Sequence, residues 1–340
     1  ADPGSRGVWG RTWAYVIFYL GTVLRLITSR PDVVLYIEPQ SSFPVFLYSF
    51  LRRRLSLFIH HHEYHDPEQF FRPGMRLPRL FHRFEQMRLF RRADWISHTN
   101  PERLRFFLRD HPGIDPATGR VLPNLPPASW FGPPNSAWAE TLRLPLRMVY
   151  VGSLSRRDTY IEEMVAWVHD QPAGSVTLDI FAYNLHQETR DFLKANEGAG
   201  VRFIPEGVDY DDLPRILRVY QTGLLLYRAN TTNYRYNASN KLFEYLACGL
   251  DVIFPRQMLG VRPYARTDAF PRVIEVDFET RAGLDLAVLS DRERLPEAVA
   301  EENADSVLSV LEAAMLDSLS RRNRRVDLRV RIDARKSASR

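Results

Sequence analysis

From residue 146 onward, short runs of β-branched and aromatic residues alternate with stretches of helical spacing. The runs are LRMVYVGSL (146–154), VTLDIFAY (176–183), VRFIPEG (201–207), TGLLLYR (222–228), DVIFP (251–255) and RVIEVDF (272–278). Between the first five lie segments 159–170, 186–197, 211–221 and 239–248, where apolar residues recur every three or four positions. Strands alternating with helices of about ten residues predict βαβ units and a parallel sheet. The runs are almost continuously apolar, as in strands covered on both faces. The first half repeats the pattern less completely. It predicts strands at 32–39, 54–64, 94–100 and 120–124, with helices at 75–93 and 101–111.

This rhythm is that of Rossmann-like domains. A doubly wound domain opens with a strand and a Gly-rich turn, and neither appears before residue 32, so the first strand of the N-terminal domain is expected to be missing. The predicted organisation is an N-terminal Rossmann-like domain over 1–124 and a linker over 125–145. A C-terminal Rossmann-like domain over 146–290 follows, then closing helices with a basic tail over 291–340. The linker contains LPPASWFGPPNSAW (125–138), too rich in proline for regular structure. The apolar stretch WAYVIFYLGTVLRLI (13–27) is shorter than the ~20 residues a membrane span needs, and Arg25 interrupts it. A packed helix is expected there.

Composition changes little in this picture. Of 340 residues 45% are hydrophobic and 26% charged, as in ordinary globular proteins. The single cysteine, Cys248, excludes an internal disulfide and points to a reducing, cytoplasmic setting. The net charge is +5, with much of the excess in the final RRNRRVDLRVRIDARKSASR (321–340). That tail and the Arg-rich helix 79–92 are candidates for peripheral contact with an anionic membrane; a solvated face is the alternative. Nucleic acid is not an expected partner.

The chemistry concentrates in YNASNKLFEYLACGLDVIFP (236–255). Ser239 is a good N-cap and Gly249 a good C-terminal stop. Leu242, Phe243, Leu246 and Ala247 form a buried stripe. Asn240, Lys241 and Glu244 are left sharing another face. An exposed Lys–Glu pair worth a few tenths of a kcal/mol would explain them. The helix start, however, faces the carboxyl ends of the strands, where open α/β sheets bind ligands. Free N–H groups, the dipole and Lys241 favour a phosphate there, and Glu244 can accept from a sugar diol. A nucleotide and a surface pair both remain open on spacing alone.

At these residues the chain resembles GT-B-fold glycosyltransferases, especially glycosyltransferase family 4. SNKLFEYLACGLDVI is similar to the family's donor-binding segment in its Asn-Lys-x-x-Glu-Tyr variant. MVYVGSLSRR resembles the first turn of the C-terminal domain, VLPNLPP the element before the linker, and LFIHHHEYHD an N-domain strand ending in His-Glu. PDVVLYIEP and ADWISHTNPERLRFF fall where the family has matching strands. The resemblance spans residue 30 to about 280 and implies two Rossmann-like domains facing each other across a cleft. It implies a nucleoside diphosphate sugar as donor, a glycan or lipid-linked acceptor, no metal or other cofactor, and retention of configuration.

The resemblance also assigns roles. Glu244 would bind the ribose, while Asn240 and Lys241, with the Ser239-capped helix start, would hold the diphosphate. Gly152 and Ser153, with Arg156 or Arg157, would neutralise the leaving phosphate. Val208 would approach the base through its backbone, and His62 and Glu63 would face the donor sugar. Three departures stand out. Tyr236 occupies the place of a second glutamate, Ser153 that of a common arginine, and Asp251 that of a proline, the last read as a packing detail.

HHHEYH (60–65) offers metal ligands, but alternate strand residues point to opposite faces and no second cluster completes a site. Cys248 has no histidine near it in sequence to make it a nucleophile. Two further functions stay in view: a nucleotide-sugar epimerase on the same fold, and a non-catalytic scaffold.

Overall fold

A computed structural model describes residues 8–52, 54–131, 145–291 and 302–338, the side chains of 8–12 and 322–338 excepted. The chain divides into two units. One comprises the residues up to Pro123 and those from Ser306 on; the other runs from Asn124 to Asp305. Most of the expected linker, 132–144, lies outside the described residues, as do 292–301 of the closing segment.

The first unit contains α1 (Val8–Ser29), β1 (Val33–Ile37), α2 (Ser42–Leu51), β2 (Ser56–His61), α3 (Arg76–Phe84), β3 (Trp95–His98), α4 (Pro101–Asp110) and β4 (Gly119–Val121). The strands form one parallel sheet in the order β1-β2-β3-β4, with Leu35 beside Phe58 and Ile59 beside Ile96. Leu57, Ile59, Leu89 and Ile96 fill its core. The single helix expected over 75–93 is divided: α3 passes into a π-turn at Glu85–Leu89 and a 3-10 turn at Phe90–Arg92. Glu85 explains the turn's setting. It is fully buried and accepts from Tyr36, His61 and His82, which the altered winding places within reach.

The helix expected at 13–27 forms, but it is packed on one side only. Tyr19 meets Phe43 and Phe81, and Leu26 joins the core. On the opposite side Trp13, Ile17, Leu20, Leu24 and Ile27 form a stripe that stays exposed. Among the described residues, no helix is long and apolar enough to cross a membrane.

The second unit contains β5 (Leu146–Val151), α5 (Ile161–His169), β6 (Val176–Phe181), α6 (Gln187–Ala195), β7 (Val201–Ile204), α7 (Leu213–Leu217), β8 (Thr222–Leu224), α8 (Thr232–Arg235), α9 (Asn240–Ala247), β9 (Asp251–Pro255), β10 (Val273–Val276) and α10 (Leu286–Ser290). Its six parallel strands run β10-β9-β8-β5-β6-β7. The order turns back between β5 and β8: β6 and β7 lie to one side of β5, and β8 to β10 to the other. That reversal is where a doubly wound sheet opens a crevice at its carboxyl edge. The last helix, α11 (Ala304–Ala338), returns to the first unit, where the Ser318 and Ser56 hydroxyls meet at 2.8 Å.

Asp251 does more than pack. It is buried at the start of β9 and takes three bonds from Arg272: 2.7 Å from the backbone N–H, 2.9 Å from Nε and 2.7 Å from an Nη. The same guanidinium donates to the carbonyls of Val288 and Leu289 in α10 and of Asp291 just after it. A buried ion pair thus ties β9, β10 and α10 together.

Candidate functional site

Of the proposed donor residues, Gly152 and Lys241 meet at the β5/β8 reversal. Gly152 ends β5 with a φ of +122°, a conformation that side chains beyond glycine rarely adopt. Its N–H donates to Phe181 O at 2.9 Å, and Tyr150 Oη donates to Ser153 O at 2.6 Å. The turn is therefore held by β6 beside it and by a tyrosine of β5 itself. Ser153 itself is exposed.

Lys241 reaches this turn from α9. A Cβ on Gly152 would stand 2.9 Å from Lys241 Cε and 3.0 Å from Nζ, so only glycine lets the lysine lie so close. Lys241 Nζ donates to Tyr227 Oη at 3.0 Å and lies over the rings of Tyr150 and Tyr227, 5.7 and 5.3 Å from their centroids. Burial works against the ammonium. The oxygens of Tyr227 and Tyr150, then Glu244, outweigh it and raise its pKa. Lys241 thus stays cationic, and its ammonium hydrogen-bonds Tyr227.

Glu244 follows one turn later and is half-buried. Burial raises its pKa, and Lys241 pulls it back. Tyr210 feels its charge, and the Tyr210 ring packs on Trp130 at 4.9 Å. Asn240 is exposed at the first position of α9. Ser239 occupies the N-cap with an extended backbone, and its carbonyl accepts from Leu242 N–H at 2.9 Å; its hydroxyl makes no capping bond. Gly249, at φ +77°, ends the helix as its sequence position predicts. Val208 follows Gly207, whose Cα faces the Tyr183 ring closely enough that a Cβ would come within 2.7 Å of it.

The two arginines behave differently. Arg156 is drawn off by Glu162 and Glu188 and lies over the Phe192 ring, so its charge is already balanced. Arg157 is exposed and, among the described residues, has no ion pair. The sequence left these two equivalent; the acidic residues that separate them stand 6 and 32 positions away.

In the first unit, His62 and Glu63 follow β2. Both backbone N–H groups donate to one oxygen of Glu38, at 2.5 and 3.1 Å, and Arg103 donates to the His62 carbonyl. Glu38 adopts φ +63° and ψ 151°, a region populated essentially by glycine. Sequence reading missed Glu38, Arg103 and the Tyr150–Tyr227 pair around Lys241. The signal available for the tyrosines was their place at or just beyond the carboxyl ends of β5 and β8. Of the other histidines of the run, His60 and His61 turn inward, to Ser97 at 2.9 Å and to Glu85 at 3.0 Å, while His65 stays beside Glu63 at 3.5 Å. Among the described residues, no three His, Cys, Asp or Glu side chains are grouped to hold a metal ion. Cys248 is buried, which pushes its thiol up to about 12.

No family model matches the chain, and no curated protein matches it in sequence. Solved structures do. Anabaena HepE in complex with UDP-glucose superposes with a TM-score of 0.58 at 13% identity, over 89% of this chain and 81% of that one. Sucrose-phosphate synthase from Thermosynechococcus elongatus gives 0.58 at 15%, over 92% and 77%. A Listeria monocytogenes protein described as a UDP-N-acetylglucosamine 2-epimerase gives 0.57 at 14%, over 93% and 82%. At these identities the likeness shows the fold, GT-B, with its two parallel-sheet α/β domains.

Proposed function

We propose that the protein is a glycosyltransferase of the family 4 type. It moves a sugar from a nucleoside diphosphate sugar to a glycan or lipid-linked acceptor, in cytoplasmic polysaccharide biosynthesis, with retention and without a metal. The observation that carries this is Lys241 laid against the Gly152 turn at the sheet reversal, with Glu244 one turn deeper. A cation beside a glycine turn suits a pyrophosphate, and a half-buried carboxylate suits the hydroxyls of its pentose. As the glycosidic bond breaks, negative charge grows on the diphosphate. Lys241, Arg157 and the first turn of α9 are the groups that stabilise it. Arg156, balanced by two carboxylates, is left out of this role. Val208 contributes its backbone to the base, and His62 and Glu63 serve the sugar and acceptor. HepE, which shares the fold, was solved with UDP-glucose, and that supports a uridine nucleotide as the first donor to try.

Calorimetry with UDP, GDP and their sugars tests the reading. Binding of one diphosphate that Glu244→Ala abolishes supports it; no binding by either leaves a scaffold. A product assay then separates transfer from epimerisation, which one protein of this fold is described as performing.

A further inference from the structure

Side-chain nitrogens of His82, Gln86 and His111 meet in the first unit. His82 and Gln86 are four residues apart, where the last turn of α3 passes into the π-turn, and His111 caps the C-terminal end of α4. His82 Nε2 and His111 Nε2 stand 3.4 Å apart, and Gln86 Nε2 is 3.1 Å from the first and 3.4 Å from the second. The other nitrogen of each ring is already committed. His111 Nδ1 is 2.8 Å from the Phe107 carbonyl, which can only accept, so Nδ1 carries the proton. His82 Nδ1 is 3.2 Å from the Glu85 carboxylate, and the same reasoning places its proton there. In the neutral rings both Nε2 atoms are therefore acceptors. The rings are held in place as well: His82 stacks on Phe70 with centroids 4.5 Å apart and planes 6° from parallel, and His111 packs on Phe107 at 4.5 Å.

Two occupants can satisfy a facing pair of acceptors. A Gln86 amide that donates once to each ring is the plainer one. The dimensions favour a cation. Nitrogens bound ~2.0–2.1 Å from a tetrahedral zinc stand about 3.4 Å apart, and His82 and His111 show that separation. An ion about 0.7 Å out of the plane of the three atoms would lie ~2.0 Å from each, and turning the Gln86 amide over presents its oxygen as the third ligand. The groups behind the rings point the same way. Ligating histidines ordinarily donate their second N–H to a carboxylate or a backbone carbonyl, which fixes the tautomer and makes the ligating nitrogen more basic. Here one ring has each kind of partner.

We propose that His82, His111 and the Gln86 carboxamide form a site for a divalent transition metal of the zinc type, with water as the fourth ligand. Imidazole and carboxamide ligands without a thiolate suit zinc, cobalt, nickel or copper. The third member is an amide, so among the described residues no trio of His, Cys, Asp and Glu marks the place. The ion would clamp the π-turn to the end of α4 and stiffen the first unit. Sugar transfer as proposed above does not draw on it, and the site holds or fails whether or not a nucleotide binds.

The test is calorimetric titration of the untagged full chain with zinc chloride, and with cobalt chloride, whose visible absorption reports four-coordinate geometry. A single zinc is expected to bind and to raise the melting temperature. His111→Asn keeps an N–H for the Phe107 carbonyl and removes Nε2. It should weaken binding by more than about 100-fold, beyond the 10- to 100-fold that losing a supporting partner costs. Gln86→Glu, at an exposed position, replaces a neutral oxygen with a charged one and should tighten binding by about tenfold. An unchanged circular dichroism spectrum confirms that each variant folds, and Gln86→Glu carries the test alone should His111→Asn unfold. Absence of zinc binding overturns the proposal and leaves the Gln86 amide as the bridge. Binding that His111→Asn leaves intact also overturns it, because the ion then sits elsewhere, as on the histidines of 60–65. So does a Gln86→Glu variant with unchanged affinity.

Discussion

Gly152→Ala is the sharpest probe of the proposed donor site. The new methyl carries two costs. At φ +122° an alanine backbone is strained, which lowers stability by ~1–3 kcal/mol. Its Cβ also stands 2.9 Å from Lys241 Cε and 3.0 Å from Nζ, closer than carbon contacts allow. The lysine is the flexible end of that contact, so it moves rather than the turn. That breaks its 3.0 Å bond to Tyr227 and draws the ammonium away from where a phosphate would lie. A hydrogen bond to a charged group contributes ~1.5–3 kcal/mol, so UDP should bind about 10- to 150-fold more weakly. Calorimetry reads the affinity and a thermal scan reads the stability. Lys241→Met, which keeps an unbranched side chain one atom shorter and removes the charge, should show the same loss of affinity without the backbone cost. If Gly152→Ala loses stability yet binds UDP within about twofold of the parent, Lys241 is not a phosphate ligand and the donor site is misplaced.

Three further outcomes are expected. Asp251→Ala leaves the Arg272 guanidinium buried without its carboxylate and should cost ~3–5 kcal/mol in urea unfolding; Asp251→Ala with Arg272→Met should recover much of that. Burial, then the neighbouring His62 and His61, holds the His60 pKa at about 3, and His98 is likewise lowered by burial. The unfolded chain takes up protons near pH 6.5 that the folded chain refuses, so these two histidines favour the fold above about 6.5 and oppose it increasingly as pH falls toward 3. His61, raised by Glu85 against its burial, acts in the opposite sense: its contribution is complete below 6.5 and is lost as pH rises through its folded pKa. Glu85, held at about 2 by His61 and His82 despite burial, adds a second loss as pH falls from 4.5 toward 2. Protection factors at β2 and β3, in which the intrinsic slowing of amide exchange by acid is divided out, should therefore fall on acidification, and His60→Phe should blunt the effect between pH 6.5 and 3; protection factors that rise on acidification would refute this. Finally, Cys248, buried with a thiol pushed up to about 12, should resist iodoacetamide at pH 8 until denaturant is added.

Much of the second unit was legible because its signals are local. Apolar runs of strand length, helical spacing between them, a serine at 239 and a glycine at 249 are all read within a few residues. So was the grouping of Lys241 with Glu244, which helix geometry dictates. What escaped depends on neighbours brought from afar. The Asp251–Arg272 pair joins positions 21 apart, and Lys241 finds Tyr227 across 14 residues and Tyr150 across 91. Arg156 and Arg157 are adjacent in the chain, and only Glu162 and Glu188 tell them apart. The π-turn at Glu85 follows from a buried carboxylate meeting two histidines, and no propensity records that. The helix expected to pack at 13–27 is covered on one side only among the described residues, because its pattern shows which residues are apolar and not what lies against them.

Glu38 has a consequence for how the protein would respond to selection. Its backbone occupies territory glycine enters freely, and its carboxylate anchors two successive amides of the following strand's end. A glycine there would relax the main chain and at the same time untether His62 and Glu63. Relief of ~1–3 kcal/mol of backbone strain is what a screen for heat tolerance would gain from the smaller residue, set against two lost hydrogen bonds, whereas on the role proposed for His62 and Glu63 a screen for turnover should discard it. Position 38 is where those two pressures would pull the sequence apart.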